Sequence, residues 1–198
     1  MSVERIVETT LSTEHAVFRC FGFRADDGTE LVAITLGDPA EFDEPPLVRL
    51  HSECFTGDVL GSHRCDCGPQ LDEAMRRIAA NGLGAVLYLR GHEGRGIGLI
   101  EKLRAYQLQD SGHDTVDANL ALGHAADARD YGDAAAMLVD LGLTHIRLLT
   151  NNPRKRDALV DHGIDVAAVE PIVIPPTERN ARYLATKRDR LGHGIPHF

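Results

Sequence analysis

From residue 47 onward, short apolar runs alternate with stretches of helical period, and most of the helical stretches stop at a glycine. That order constrains the fold most strongly. Strands separated by helices join most simply as neighbours in one sheet, with the helices packed on its faces. Residues 47–52 read as a strand in which Val48 and Leu50 alternate with Arg49 and His51, as on a half-buried surface. From Leu71 the positions Leu71, Met75, Ile78 and Ala79 share one helical face, and Asn81-Gly82 supplies the stop. Residues 84–89 form a short buried strand, 91–98 a glycine-rich loop, and 99–110 a helix carrying Leu99, Leu103, Tyr106 and Leu108. A helix over 132–141 precedes a strand over 146–150, after which Asn152-Pro153 reads as N-cap and first residue of a helix ending near Gly163. An apolar run over 164–174 is separated by Pro175-Pro176 from a terminal helix over about 178–191, stopped by Gly192.

The N-terminal part follows a different rule. Residues 16–24 and 30–36 flank Ala25-Asp26-Asp27-Gly28-Thr29, a turn-forming cluster, and predict a β-hairpin. The fold class is therefore α/β with an α+β-like start: a mixed sheet with flanking helices, an N-terminal hairpin and a C-terminal helix. A chain of 198 residues with 43% hydrophobic content suffices for one core, so residues 1–174 are read as one domain and 175–198 as its helical extension.

A net charge of -9 excludes a generic grip on a nucleic-acid backbone. No stretch approaches the ~20 apolar residues needed to span a bilayer, and no signal-like segment opens the chain. Four cysteines, three of them within fourteen residues, do not resemble a secreted disulfide framework. A reduced, cytoplasmic protein with no membrane partner is expected.

Cys54, ten intervening residues, then Cys65-Asp66-Cys67 would bring three thiolates to one ion if the chain turns between strand and helix. Three ligands with no obvious fourth favour an open, chemical site. A closed structural site completed by His51 or His63, or three thiols that bind nothing, are the rival readings. Cys20, beside Phe18 in a strand, reads as a small core residue.

Two segments invite phosphate. In 91–98 four of the eight positions are glycine just before a helix, so backbone N–H groups can approach an anion, and Arg95 adds a bidentate fork. Asn151-Asn152-Pro153-Arg154-Lys155-Arg156 places three cations at a helix start, where the macrodipole disfavours them unless an anion lies between. Each segment alone is equally a turn or a solvated basic patch. Asp127 and Arg129, two residues apart, read most simply as a surface ion pair.

Taken in order, Arg49-Leu50-His51-Ser52-Glu53-Cys54, the 61–70 segment with Arg64-Cys65-Asp66-Cys67-Gly68, Glu93-Gly94-Arg95-Gly96-Ile97-Gly98-Leu99, Asp114-Thr115-Val116-Asp117-Ala118-Asn119 and Leu148-Leu149-Thr150-Asn151-Asn152-Pro153 resemble the GTP cyclohydrolase II family. The resemblance implies a single catalytic domain that carries out the first committed step of riboflavin synthesis. GTP would lose C8 as formate and also lose pyrophosphate, leaving a diaminopyrimidine ribosylamino 5′-phosphate. It implies one Zn2+ per subunit on Cys54, Cys65 and Cys67, with the zinc-bound water attacking C8, and Mg2+ accompanying the triphosphate. GTP contacts fall on Arg49, Leu50, His51, Ser52, Glu53, Gln70, Glu93, Gly94, Arg95, Thr115, Thr150 and Lys155. Asp127 corresponds to the proton acceptor, Arg129 to the residue acting at the α-phosphate, and Tyr106 to a tyrosine used in ring opening. A guanidinium is a poor nucleophile, so electrostatic stabilisation is the easier role for Arg129. The loop before Glu93 is one residue longer than the family's common form. The family's homodimeric state is implied as well.

Overall fold

The computed structural model describes residues 2–196 and shows a seven-stranded mixed sheet with helices on both faces. The sheet begins with β1 (Val3–Ser12), whose side chains are almost all exposed and which pairs antiparallel along its length with β2 (Val17–Ala25). The predicted hairpin then forms: β2 turns through Gly28 at φ 86° into β3 (Glu30–Leu36), with Gly28 N–H donating to Ala25 O at 2.9 Å. β1 was not legible in the sequence, because an edge strand with no buried face has no apolar alternation to read.

β4 (Leu47–Ser52) leads through a short helix α1 (Phe55–Asp58) into α2 (Cys67–Asn81), which stops at Gly82 in the left-handed region and hands over to β5 (Gly84–Leu89). A 3-10 turn at Glu93–Arg95 precedes α3 (Leu99–Asp110) and α4 (Thr115–Ala121). The chain continues through α5 (Gly132–Asp140), β6 (His145–Leu149), α6 (Pro153–Asp161), β7 (Asp165–Glu170) and α7 (Ala181–Leu191). The spatial order is β1-β2-β3-β5-β4-β6-β7, antiparallel as far as β5 and parallel from β5 to β7.

The core lies on both faces of this sheet. One face joins Phe21, Phe23, Leu50 and Leu87 with Met137 and Leu138 of α5 and Leu159 of α6. The other joins Phe18, Ile34, Leu47 and Val86 with Ala74 and Ile78 of α2. Each fully buried large side chain contributes roughly 1.5–3 kcal/mol relative to exposure. Cys20 is partly buried against the second cluster.

Several expectations shift. β4 is not half-exposed: Arg49 and His51 are 5% and 2% exposed, because a central strand has both faces covered and its polar face is roofed by the site. α3 does not bury Leu103, which is 42% exposed; it buries Lys102 and Ala105, because its inner face borders a polar cavity. β7 ends at Glu170, before Pro171, which has no N–H to donate. α7 begins at Ala181, since Asn180 Oδ1 accepts from Thr177 N–H at 2.7 Å and holds a turn there. α4 lacks a long apolar stripe and is set by its cap, Asp114 Oδ1 accepting from Val116 and Asp117 N–H, both at 2.8 Å.

Candidate active site

β5, β4 and β6 are adjacent and parallel, and from β4 the chain first moves to β5 on one side and later to β6 on the other. The carboxyl ends of such strands form a crevice where ligands bind. One cavity opens there, lined by Arg49, His51 and Ser52 of β4 with Glu53 and Cys54 just beyond it, by His92 to Arg95 after β5, and after β6 by Thr150, Asn152 and, in the first turn of α6, Lys155.

The three cysteines meet at one end of it. Cys54 precedes α1, Cys67 opens α2, and the Sγ atoms of Cys54, Cys65 and Cys67 all lie within 4.8 Å of one another. Cys54 Sγ and Cys65 Sγ are 3.6 Å apart. Three sulfurs about 2.3 Å from a tetrahedral zinc would stand about 3.8 Å apart, so the donor set fits that ion. Two glycines make room: a Cβ on Gly57 would lie 2.8 Å from Cys65 Sγ, and one on Gly68 would lie 2.4 Å from Gly57 O.

The electrostatics suit a cation. Hydrogen bonds from Cys65 and Cys67, with the Lys102 ammonium 3.1 Å from Cys54 Sγ, push the Cys54 thiol well below its usual range. Hydrogen bonding to Cys54 in turn pushes Cys65 up to about 11 and raises Cys67, so a metal ion would have to displace the remaining protons. Neither histidine closes the site. His51 Nε2 lies 3.0 Å from Asp58 Oδ1 with its ring stacked on Tyr88, His63 is exposed, and no fourth His, Cys, Asp or Glu joins the cluster among the described residues. Asp58 also accepts from Cys54 N–H at 3.0 Å and from Tyr88 Oη at 2.9 Å, which fixes the backbone at Cys54.

The cavity walls hold two kinds of cation. Lys102 is paired with Glu93, Arg129 with Asp127, Lys187 with Asp66 and Arg64 with Asp110. Arg49, Arg95 and Lys155 are each buried, and among the described residues none has a carboxylate partner. Arg49 donates to Leu149 O and Gln70 Oε1, and Lys155 to Leu50 O at 2.6 Å. Neither Arg95 Nη1 nor Nη2 has a protein partner, although Arg95 is 8% exposed. Burial, together with neighbouring cations, lowers the pKa of Lys155. Buried cations with no carboxylate partner are costly, so three of them around one cavity would be relieved by an anion there.

Arg95 is also the one non-glycine residue with positive φ, 69°, among the described residues. Such a conformation costs about 1–3 kcal/mol and persists where the surroundings impose it. Arg95 O accepts from Ala128 N–H at 3.1 Å, which ties the glycine loop to the Asp127–Arg129 segment. There Arg129 Nε and Nη2 grip Asp127 Oδ1 and Oδ2 at 2.8 and 2.7 Å, and Arg154 Nη1 adds a third contact at 3.0 Å. The side chains of the pair are 11% and 7% exposed, so it is not the surface pair that the spacing alone suggests. Burial opposes charge on Asp127, but Arg129 overcomes it and holds the carboxyl at about 2.

Comparison with known proteins agrees with this arrangement. The sequence profile of GTP cyclohydrolase II matches residues 4–171. A protein named GTP cyclohydrolase-2 from Streptomyces coelicolor is 59% identical over 197 residues, covering 99% of this chain and 88% of its own length. The chain belongs to the GTP cyclohydrolase II family. Proteins named riboflavin biosynthesis protein RibBA from Salinispora arenicola and Mycobacteroides abscessus are 58% and 56% identical. The chain spans about half the length of these two, 46% and 47%.

Most residues suggested by the resemblance to the GTP cyclohydrolase II family border the cavity: Arg49, His51, Ser52, Glu53, Gln70, Glu93, Gly94, Arg95, Thr115, Thr150, Lys155, Arg129, Tyr106 and the cysteines. Leu50 does not. Its side chain is 1% exposed in the core, and only its carbonyl reaches toward the site, to Lys155. Asp127 stands behind Arg129 and is not part of the lining. Glu93 is occupied locally, Oε2 accepting from Phe55 N–H at 2.6 Å and Oε1 from Lys102. Tyr106 borders the cavity, and its Oη lies 3.2 Å from Thr56 Oγ1.

Sequence reasoning missed Lys102, His92, Tyr183, Lys187 and His193, all of which line the cavity. Lys102 had a signal: it lies three residues after Leu99 in a helix whose leucines do not form one stripe. The residues of α7 had none, because only the tertiary fold brings them back to the cysteines.

Proposed function

We propose that this protein hydrolyses GTP to formate, pyrophosphate and a diaminopyrimidine ribosylamino 5′-phosphate, the first committed step of riboflavin biosynthesis. The observation that carries the reading is that a three-thiol cluster and three carboxylate-free buried cations share one cavity. A metal-activated hydrolysis and a polyphosphate binding site are thereby joined in a member of the GTP cyclohydrolase II family.

Cys54, Cys65 and Cys67 would hold Zn2+ with a fourth position open. Zinc held there supplies a Lewis acid that brings water's pKa to about 7, the chemistry needed to open the imidazole ring at C8. Arg49, Arg95 and Lys155 bind the triphosphate, which arrives with Mg2+. Arg129 stabilises charge that develops at the α-phosphate. Its bidentate link to Asp127 keeps the guanidinium protonated, which supports an electrostatic role and opposes a covalent one. Asp127, held near pKa 2, becomes a proton acceptor only when bound anion draws Arg129 away. Tyr106 orients the reacting group through its hydroxyl. The active unit is a cytoplasmic homodimer that binds neither nucleic acid nor membrane; among the described residues no helix is long and apolar enough to cross one.

A nucleotide sensor that binds GTP without consuming it is the alternative. Cys54→Ser separates the two when melting and GTP titration are measured together. The hydrolase reading expects loss of formate release with the fold and GTP binding largely retained. Unfolding of the variant, with no turnover by the zinc-loaded parent, would establish the sensor reading instead.

A further inference from the structure

The family's profile ends at residue 171, yet α7, ten residues further on, returns to the cavity. It is anchored at both ends. Arg182 donates to Gly112 O at 2.5 Å, Arg190 contacts Asp114 at 2.6 Å and Asp117 at 3.1 Å, and Gly194 N–H donates to Asn151 O at 2.8 Å. Arg190 thereby holds the aspartate that caps α4 just before Thr115.

From α7 a chain of buried polar groups runs to the cavity floor. Lys187, 8% exposed, donates to Asp66 Oδ1 at 2.7 Å, and Asp66 is 2% exposed. Asp66 Oδ2 accepts from Gln70 Nε2 at 2.5 Å, which fixes the amide's orientation, and Gln70 Oε1 then accepts from Arg49 Nη2 at 2.7 Å. Asp66 stands between Cys65 and Cys67. One lysine on the terminal helix thus holds both the cysteine turn and one of the three cations that lack a carboxylate. The charges match along the chain, since an unpaired Asp66 would be a buried anion beside the thiols.

We infer that Lys187 is a positioning residue for this site: through Asp66 and Gln70 it sets the Cys65–Cys67 turn for metal and Arg49 for substrate. The inference rests on the proposed GTP hydrolysis for its substrate half and on the cysteine cluster alone for its metal half. Groups that orient a metal site from outside the ligand set typically change metal affinity or activity by about 10–100-fold when removed.

The test compares zinc-loaded full-length wild type with Lys187→Met, Lys187→Arg and the double variant Lys187→Met/Asp66→Asn. The double variant removes the Lys187–Asp66 ion pair whole, so neither partner is left as a lone buried charge and the variant remains informative if Lys187→Met fails to fold. Three quantities are measured: the rate of zinc transfer to a chromogenic chelator, KM and kcat for GTP, and the melting temperature. Faster zinc transfer and a higher KM, each by about tenfold, are expected in the folded double variant, with Lys187→Arg close to wild type. A double variant that melts like wild type and matches it in zinc transfer and KM would overturn the inference. If wild type proves unable to turn over GTP, the proposed function fails, while the zinc comparison still decides the metal half.

Discussion

Arg95 concentrates the argument at the scale of single residues. Its backbone sits at φ 69° and two of its guanidinium nitrogens have no protein partner, so the fold bears it at a cost, part of which a bound anion would offset. Arg95→Gly should therefore melt no lower than wild type, and about 1 kcal/mol more stably, because glycine adopts this φ without strain. The same variant should bind GTP at least about tenfold more weakly, as expected for loss of charge-assisted hydrogen bonds. Calorimetry and nucleotide titration on one preparation check both; a lower melting point with unchanged binding would show the residue to be structural. The sequence made Arg95 conspicuous through its glycine neighbours, but not its lack of a partner, which depends on where every nearby carboxylate points. Glu93 is the converse case, conspicuous in the same motif and already engaged by Lys102 and Phe55.

Elements place these residues through their ends. Asn152 Oδ1 accepts from Arg154 N–H at 3.1 Å and starts α6 so that Lys155 turns inward to Leu50 O. Asn152→Ala should cost about 1 kcal/mol of stability, measurable by denaturant unfolding, and weaken GTP binding through the displaced lysine. In α1 the constraint is steric: Gly57→Ala puts a Cβ 2.8 Å from Cys65 Sγ. Alanine is a better helix former than glycine by about 1 kcal/mol, so the variant should fold yet hold well under one zinc per chain by elemental analysis. Retention of full zinc would refute the packing argument. Caps and stops were the legible part of the fold: Asn152-Pro153, Asn81-Gly82 and the Gly28 hairpin fall where local chemistry puts them. β1 and α4 were not legible, since an exposed edge strand and a capped seven-residue helix carry no apolar period.

For the molecule as a whole, assembly determines what its titratable groups can do. Burial, reinforced by nearby cations, depresses His92 to about 4 and His193 to about 3 from 6.5. The unfolded chain takes up protons on these rings as pH falls below 6.5, whereas the folded chain refuses them until about 4 and about 3. Ligand-free protein should therefore lose stability progressively over that window, and His92→Gln should flatten the dependence in melting curves taken across it. No change of melting point between pH 7 and pH 4 would contradict the buried placement of these rings. The cysteine spacing made a three-thiol cluster readable, but that neither nearby histidine joins it required the fold, which pairs His51 with Asp58 and leaves His63 exposed. The central claim is that this open cluster and the cationic cavity act on one molecule of GTP. It is tested most directly by incubating zinc-loaded protein with GTP and Mg2+, assaying formate and pyrophosphate separately and weighing the nucleotide product. The account predicts formate and pyrophosphate in equal amounts with a diaminopyrimidine ribosylamino monophosphate; intact GTP, with neither product released, would contradict it.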